Sequence, residues 1–220
     1  MKLLSPFAKL LTAFLLFIGL LIIFRTFYSG TLRYYFLVWN LFLAWIPYIL
    51  STFITSYSKK EKWKQLFIAS SWLLFFPNAL YIVTDLVHLQ HATNMPWWFD
   101  AMLLFTAAFA GLMMAFVSLR NMEKYLSTLL NKNIVHVLSF SLMFLGSFGV
   151  YLGRFERWNS WNIINDPFSL AGNILSCIMN PIDNAKVWAI TILFTGVYSL
   201  LYYSVRMLPK AFAENNNTGH

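Results

Sequence analysis

The chain alternates long apolar stretches with short polar connections that hold most of its charged residues. Six stretches are long enough to cross about 30 Å of hydrocarbon at about 1.5 Å per helical residue. They are residues 10–27, 34–55, 65–83, 99–119, 134–152 and 187–207. Backbone polar groups in lipid must bond within their own segment, and no strand-like alternation is present. The pattern therefore predicts an all-α, polytopic transmembrane helix bundle of about six spans, in a single domain covering residues 1–220.

The composition supports a membrane protein. Of the 220 residues, 59% are hydrophobic and 11% are charged, against about 45–50% and about 25% in a soluble domain. So few charges cannot form the polar surface of a water-soluble globule. The net charge of +8 comes from short basic runs between the apolar stretches, where such runs act as topology signals. Membrane lipids are the expected partners, nucleic acid is not, and neither a cofactor nor a protein partner is indicated.

The distribution of Lys and Arg predicts the orientation. With the N-terminus inside, 11 of the 16 basic residues fall on the inner side and five on the outer side. Because cytoplasmic connections retain positive charge, both termini are predicted to be cytoplasmic. Five of the eight acidic residues then lie on the outer side, namely Asp85, Asp100, Glu156, Asp166 and Asp183. The outer side therefore holds most of the candidate chemistry.

The connection from residue 153 to 186 is the longest and has a helical period of its own. Apolar residues recur at a spacing of three and four, at Ala171, Ile174, Leu175 and Ile178. Asp166 and Pro167 form a helix start, and 180–181 supplies a stop. A short interfacial helix is predicted here in the last outer loop, whereas the polar tail 214–220 is predicted to be disordered. Glycines inside the spans are predicted to let helices approach closely, namely Gly111, Gly146, Gly149 and Gly196.

A polar series interrupts the third span where it nears the outer surface, in the sequence FFPNALYIVTDLVHL. Asn78, Tyr81, Asp85 and His88 follow one another at spacings of three, four and three. On a continuous helix they would form one stripe facing the bundle interior. Pro77 removes a backbone donor just before the series and favours a kink.

Two further segments bring polar side chains to the same outer level. Asn40, in WNLFLAWIP, is predicted to lie about 9 Å inside the second span, where it would face Asn78. The fifth span ends in YLGRFERWNSWNI, which places Arg154 and Arg157 at the outer rim. The three polar segments are therefore expected to converge.

Asp85 and His88 could share a proton as an acid/base pair or contribute to a Zn²⁺ site. The alternative is structural, with Asp85 paired to Arg154 or Arg157 and His88 packed at the interface. His91 and Asp100 could complete a ligand set, but the intervening PWW segment is typical of an interface anchor, and no metal site is assigned. Arg154 and Arg157 suit an anionic group such as a lipid phosphate, or ordinary headgroup contact.

Taken together, WNLFLAWIP, FFPNALYIVTDLVHL and YLGRFERWNSWNI resemble an uncharacterised bacterial membrane family, domain of unknown function 1361. The resemblance implies a multi-pass protein of the bacterial cytoplasmic membrane, with no established activity. The family is expected to have a proline where Leu80 stands here, and His91 lies outside its motif. The residues to which it draws attention are Trp39, Asn40, Pro47, Pro77, Asn78, Tyr81, Asp85, His88, Gly153, Arg154 and Trp158.

Three functions remain open. The leading hypothesis is a polar pocket at the outer membrane face for an anionic, lipid-linked or envelope substrate. In an enzyme Asp85 and His88 would be catalytic, and the residues that bind and orient the substrate would be Asn40, Asn78, Tyr81, Arg154 and Arg157. A transporter or channel component would extend the polar stripe inward, although the inner halves of the spans are mostly apolar. A membrane scaffold would use the polar groups only for helix packing.

Overall fold

The computed structural model describes residues 5–54, 61–89, 95–158 and 160–217, which form helices and connections and contain no β-strand. The helices are α1 (Pro6–Ser29), α2 (Phe36–Ile54), α3 (Lys62–Tyr81), a 3₁₀ helix (Ile82–His88), α4 (Trp97–Leu126), α5 (Lys132–Arg154), α6 (Asn162–Asn165), α7 (Pro167–Met179) and α8 (Ala185–Asn217). Six segments are long and apolar enough to cross a membrane, with the third formed by α3 and the 3₁₀ helix together. The predicted fold class and its six spans are confirmed, although Thr55 lies outside the described residues.

Local sequence sets both ends of α1. The Ser5 hydroxyl accepts a hydrogen bond from the Ala8 backbone N–H at 3.1 Å, and Pro6 occupies the first helical position. The helix ends at Gly30, whose φ of +66° is left-handed and whose N–H donates to the Thr26 carbonyl at 2.9 Å. Glycine adopts this conformation without the steric cost of a Cβ, so the first span stops where its sequence dictates.

The chain divides into two compact units, Met1–Tyr125 and Leu126–His220. In the first unit, α2 and α3 pack along each other and the 3₁₀ helix contacts α2. A Cβ at Gly111 of α4 would overlap the Ile82 side chain and lie 3.1 Å from the Ala79 carbonyl oxygen. The predicted close approach is therefore confirmed at Gly111. It is wrong at Gly196, where a Cβ would have no atom within 4 Å.

The third span is an α-helix only as far as Tyr81, so the predicted continuous helix is wrong beyond that residue. The next three residues, Ile82 to Thr84, are β-branched, which disfavours the α-helix, and the backbone tightens into a 3₁₀ helix. Side chains three residues apart then share a face. Ile82 and Asp85 are buried on that face and His88 is half-buried.

In the second unit, α5 and α8 pack along each other through aromatic rings. Trp188 stacks with Phe144 and Phe148 at centroid distances of 6.4 and 5.8 Å. Its indole N–H donates to the Cys177 carbonyl at 3.2 Å, which ties α8 to α7. The buried cluster of this unit consists of Tyr151, Leu152, Leu170, Cys177 and Val187.

The predicted short helix in the longest connection is confirmed as α7. The Asp166 carboxylate accepts from the Ser169 N–H at 3.3 Å, Pro167 begins the helix and Asn180 follows its last residue. The predicted apolar face is split, however, because Ile174 packs against the buried cluster whereas Leu175 and Ile178 are exposed.

The last helix continues beyond its apolar part. Its candidate span is Ala185–Pro209, but α8 extends to Asn217. The sequence predicts disorder from residue 214, whereas residues 214–217 belong to the helix and 218–220 lie outside the described residues. Extending an existing helix avoids the cost of nucleation, and the Ala and Glu residues of AFAE favour it.

Candidate functional site

A hydrogen bond between Asn40 and Asp85 joins the predicted outer ends of the second and third spans. The Asn40 Nδ2 donates to the Asp85 Oδ2 at 2.7 Å. Asp85 is 1% exposed, and Asn40 is half-buried. The sequence hypothesis placed Asn40 opposite Asn78. The structure instead gives Asn40 a carboxylate partner, because the 3₁₀ helix packs against α2.

His88 ends the 3₁₀ helix on the same face as Asp85. Its ring lies 5.0 Å from that of Phe36, measured between centroids, and its backbone carbonyl accepts from the Tyr34 hydroxyl at 3.3 Å. Tyr34 is 1% exposed and lies in the turn before α2. Contacts from this turn and from the start of α2 thus hold both the ring and the backbone of His88.

A buried ion pair that the sequence hypothesis lacks joins α1 to α4. The Arg25 guanidinium donates to both carboxylate oxygens of Asp100, at 2.8 and 3.2 Å. The two side chains are 2% and 0% exposed. The remaining guanidinium nitrogen donates to the hydroxyls of Thr31 at 2.9 Å and Ser29 at 3.3 Å. Such a pair tolerates burial because its donors have acceptors.

Tyr34 connects the ion pair to His88. The Arg25 guanidinium carbon lies 4.5 Å from the centre of the Tyr34 ring, a cation–π contact. Burial raises the pKa of the Tyr34 phenol, and the negative charge of Asp100 raises it further. The phenol therefore remains protonated and can donate to the His88 carbonyl.

The sequence does contain a signal for this pair, since an ionisable residue inside a span requires a partner. Arg25 falls near the outer end of the first predicted span, and the structure places it within α1. Several acidic residues occupy the predicted outer side, and periodicity alone does not select Asp100 among them. The contact is decided by how α1 packs against α4.

Asn78 and Tyr81 lie on α3, nearer to the middle of the third span than Asp85. Both are half-buried. The Asn78 Nδ2 donates to the Phe75 carbonyl at 3.1 Å, and the Tyr81 carbonyl accepts from the Thr84 hydroxyl at 2.6 Å. The first unit thus carries Asn40, Asn78, Tyr81, Asp85 and His88, with a direct contact described between Asn40 and Asp85.

Arg154 and Arg157 are three residues apart in the second unit, at and just beyond the end of α5. Arg154 is its last residue and half-buried, while Arg157 is exposed and has a φ of +60°. That left-handed conformation is strained for any residue other than glycine. The backbone N–H of Trp158 donates to the Leu152 carbonyl at 3.0 Å, which stabilises this loop against the end of α5.

A second set of polar contacts lies at the opposite, predicted inner end of the first unit. The Asn121 amide donates to the Ser51 hydroxyl at 3.2 Å, which links α4 to α2. The Tyr125 hydroxyl donates to the Gln65 side chain at 3.2 Å, which links α4 to α3. Ser51 is 0% and Gln65 7% exposed. Sequence reasoning treated the inner halves as mostly apolar and missed these pairs.

The arrangement favours proton transfer and hydrogen bonding. Asp85 and His88 supply one carboxylate and one imidazole on a shared face. Asp100, considered above as a further metal ligand, is bound to Arg25, and His91 lies outside the described residues. In the described part of the chain, no group of three or more His, Cys, Asp or Glu is placed to hold a metal ion.

These features define a multi-pass helical membrane protein with polar contacts concentrated near the ends of its spans. The chain belongs to the DUF1361 family of proteins of unknown function, whose family model matches residues 39–201. The match contains Asn40, Asp85 and Arg157 but not Arg25 or Tyr34. No curated protein and no solved structure matches the chain.

Proposed function

We propose that this protein acts in the bacterial cytoplasmic membrane, where it binds an anionic lipid-linked or cell-envelope molecule at the outer face. Arg154 and Arg157 bind the anionic group, since guanidinium groups hold phosphate bidentately. In the first unit, and independently of the two arginines, Asp85 and His88 act as an acid/base pair on a bound molecule. Asn40, Asn78 and Tyr81 of the same unit orient that molecule.

The observation that carries this proposal is the 2.7 Å hydrogen bond from Asn40 to a carboxylate that is 1% exposed. An ionisable side chain inside a membrane span is costly and commonly marks a functional site. Tyr34 and Phe36 hold His88 on the same face of the 3₁₀ helix. A carboxylate and an imidazole held on one face suit proton transfer.

The strained loop of the second unit supports the role of Arg157. A φ of +60° favours glycine, yet this position carries an arginine. Its guanidinium is on an exposed residue, three positions after the half-buried Arg154. Strain of this kind costs of order 1–3 kcal/mol and clusters at functional sites.

The proposed role of the Asp85 carboxylate is tested by removing it and then by placing a carboxylate at residue 40 instead. Asp85→Asn keeps the size of the side chain and an acceptor for Asn40, so folded yield should be retained while the cellular phenotype is lost. The double variant Asn40→Asp, Asp85→Asn restores one carboxylate and one amide at the contact. If chemistry requires a carboxylate at residue 85, the exchanged pair folds and remains inactive.

The opposite outcome identifies a structural carboxylate. Recovery of the phenotype by the exchanged pair would mean that the contact serves helix packing, as in a scaffold. The phenotype is measured by complementing a strain that lacks the gene. Folded yield is measured for each variant by the monodisperse fraction in detergent.

The arginine hypothesis is tested by Arg157→Gly, which removes the guanidinium and suits the left-handed backbone. We expect folded yield equal to or above that of the wild type, together with reduced retention of phosphate-bearing lipid in native mass spectrometry. Lys186→Gln, at another basic residue of the same unit, serves as the charge-matched control. Equal lipid retention by the Arg157→Gly and wild-type proteins would reject a role in anion binding.

A second candidate function, transport, is favoured by the polar pairs at the inner end of α2, α3 and α4. Asn40 and Ser51 lie on one face of α2 and bond to different helices at its two ends. A water-filled path through the first unit would make buried positions of its helices, such as Ala79, which is 0% exposed, accessible to water. Variants that each add one cysteine, at residue 40, 51 or 79, test this against the wild-type labelling of Cys177. A cysteine at residue 79 that stays unlabelled by small aqueous thiol reagents argues against transport.

A further inference from the structure

The helix α7 lies outside the six candidate spans and has 13 residues, Pro167–Met179. It connects the end of α5 to the start of α8. Its side chains from Pro167 to Met179 include no charged group. An uncharged helix of this kind is poorly suited to expose to water all of the surface that does not pack against the protein.

At about 100° per residue, α7 has three distinct faces. One packs against the second unit, where Leu170 and Cys177 are buried and Ile174 is partly buried. The next is exposed and carries small or polar positions, Ser169, Gly172 and Ser176. The third is exposed and apolar. It carries Phe168, Ala171, Leu175 and Ile178 at spacings of three and four, and Ile182 in the turn after the helix is also exposed.

The side chains of the apolar face are largely exposed, which is unfavourable if the surrounding solvent is water. Phe168 is 89%, Leu175 56% and Ile178 55% exposed, and Ile182 is 88% exposed. Burying side chains of this type away from water is favourable. Large contiguous apolar surfaces mark contacts with a membrane or another protein.

The position of α7 in the fold decides between these partners. Its buried face packs on Tyr151 and Leu152 in the last turn of α5, and on Val187 in the first turn of α8. Both helices are candidate spans, so α7 lies at the level where the chain leaves the hydrocarbon. Its apolar face therefore continues the surface that the two spans present to lipid, where α8 exposes Ile192 and Leu193.

We infer that α7 lies in the membrane interface as a lipid-binding helix, with the face of Phe168, Leu175 and Ile178 among acyl chains and the face of Ser169 and Ser176 toward water. The partner is the lipid of that leaflet, and binding rests on apolar insertion because α7 has no cationic side chain. This placement does not depend on the roles proposed for Asp85 or Arg157. It brings the loop from Arg154 to Trp158, which packs beside α7, next to the lipid headgroups.

The test uses variants that each add one cysteine to the full chain, which is reconstituted into vesicles of phosphatidylethanolamine and phosphatidylglycerol. Leu175→Cys and Ile178→Cys probe the apolar face, and Ser169→Cys and Ser176→Cys are the matched controls on the polar face. Each cysteine carries a fluorophore, which is challenged with a nitroxide on the lipid acyl chain and with iodide on both sides of the vesicle. The wild-type protein gives the background labelling of the native Cys177. This labelling should be slow, because Cys177 is 5% exposed and because burial, followed by the charge of Glu156, raises the pKa of its thiol.

The expected result is opposite behaviour at neighbouring positions. The labels at residues 175 and 178 should lose most of their emission to the acyl-chain nitroxide and little to iodide, and the labels at 169 and 176 should do the reverse. Strong iodide quenching at 175 and 178 would place this face in water and overturn the inference. Protection of both positions from both quenchers would mean that a protein covers the face, and would overturn it equally.

Discussion

The two units hold their apolar helices together by different kinds of contact. In the first unit, side-chain hydrogen bonds join residues that are 45 to 75 positions apart, at both ends of the helices. In the second unit, Ser139, Ser147 and Thr195 donate to carbonyls within their own helices. There the contact between α5 and α8 is made by stacked rings around Trp188.

The difference has a physical cause. In lipid, apolar side chains gain little from choosing one helix partner over another, because the solvent is equally apolar. Buried polar groups are costly without the correct partner, so they discriminate between alternative packings. The first unit can therefore be disrupted by single polar changes. The second unit should tolerate loss of its helix-internal bonds and depend on ring packing.

The largest effect is expected for Asp100→Asn. The change leaves the Arg25 guanidinium buried without its carboxylate, and breaking such a pair costs about 3–5 kcal/mol. We expect a large loss of thermal stability and of monodisperse protein in detergent. The double variant Arg25→Met, Asp100→Leu removes both charges at similar volume and should recover most of that loss. A melting temperature for Asp100→Asn equal to that of the wild type would contradict the importance of the pair.

A smaller effect is expected for Gly111→Ala in the same unit. The added methyl group overlaps the Ile82 side chain and lies 3.1 Å from the Ala79 carbonyl oxygen. Overpacking of this kind costs about 1–3 kcal/mol, measured as reduced thermal stability. Gly19→Ala in α1 is the matched control, because a Cβ there meets no atom within 4 Å. Equal stability of the two variants would show that α4 does not approach the third span this closely.

The inner pair of Ser51 and Asn121 is expected to contribute less. A double-mutant cycle with Ser51→Ala and Asn121→Ala isolates their 3.2 Å contact from other effects of each change. Interhelical hydrogen bonds in membrane proteins average about 0.6 kcal/mol and reach about 1.7 kcal/mol. Unfolding in mixed micelles measures the coupling. If the effects of the two single changes simply add, Ser51 and Asn121 have no energetic coupling, and their contact does not help to hold α2 against α4.

The smallest effect is expected for Ser147→Ala in the second unit. The Ser147 hydroxyl donates to the Met143 carbonyl at 2.9 Å within α5. Its removal creates no buried orphan donor and breaks no contact between helices, so we expect a change within about 0.5 kcal/mol. The same unfolding measurement applies. A loss as large as that of Asp100→Asn would erase the distinction drawn between the two units.

Parts of the candidate site follow from sequence and parts do not. The polar series from Asn78 to His88 is visible as an interruption of an apolar span, and the start of α7 is visible in Asp166 and Pro167. The partner of Asn40 is not visible, because the 3₁₀ helix rotates Asp85 relative to a continuous α-helix. Arg25 is recognisable as a residue in need of a partner, but several acidic residues compete for that role.

The sequence is enough to predict six apolar segments that can cross a membrane, which the described residues confirm, because length and hydropathy meet the thickness of a bilayer without reference to any other residue. It also determined the local starts and stops of α1 and α7, where a cap and a proline act within a few positions. Three contacts emerge from helix packing alone: Arg25 binds Asp100, Asn40 binds Asp85, and the Ile82 side chain packs directly against Gly111. These contacts depend on the rotation and spacing of helices that are distant in sequence, and many alternative packings satisfy the same hydrophobic pattern.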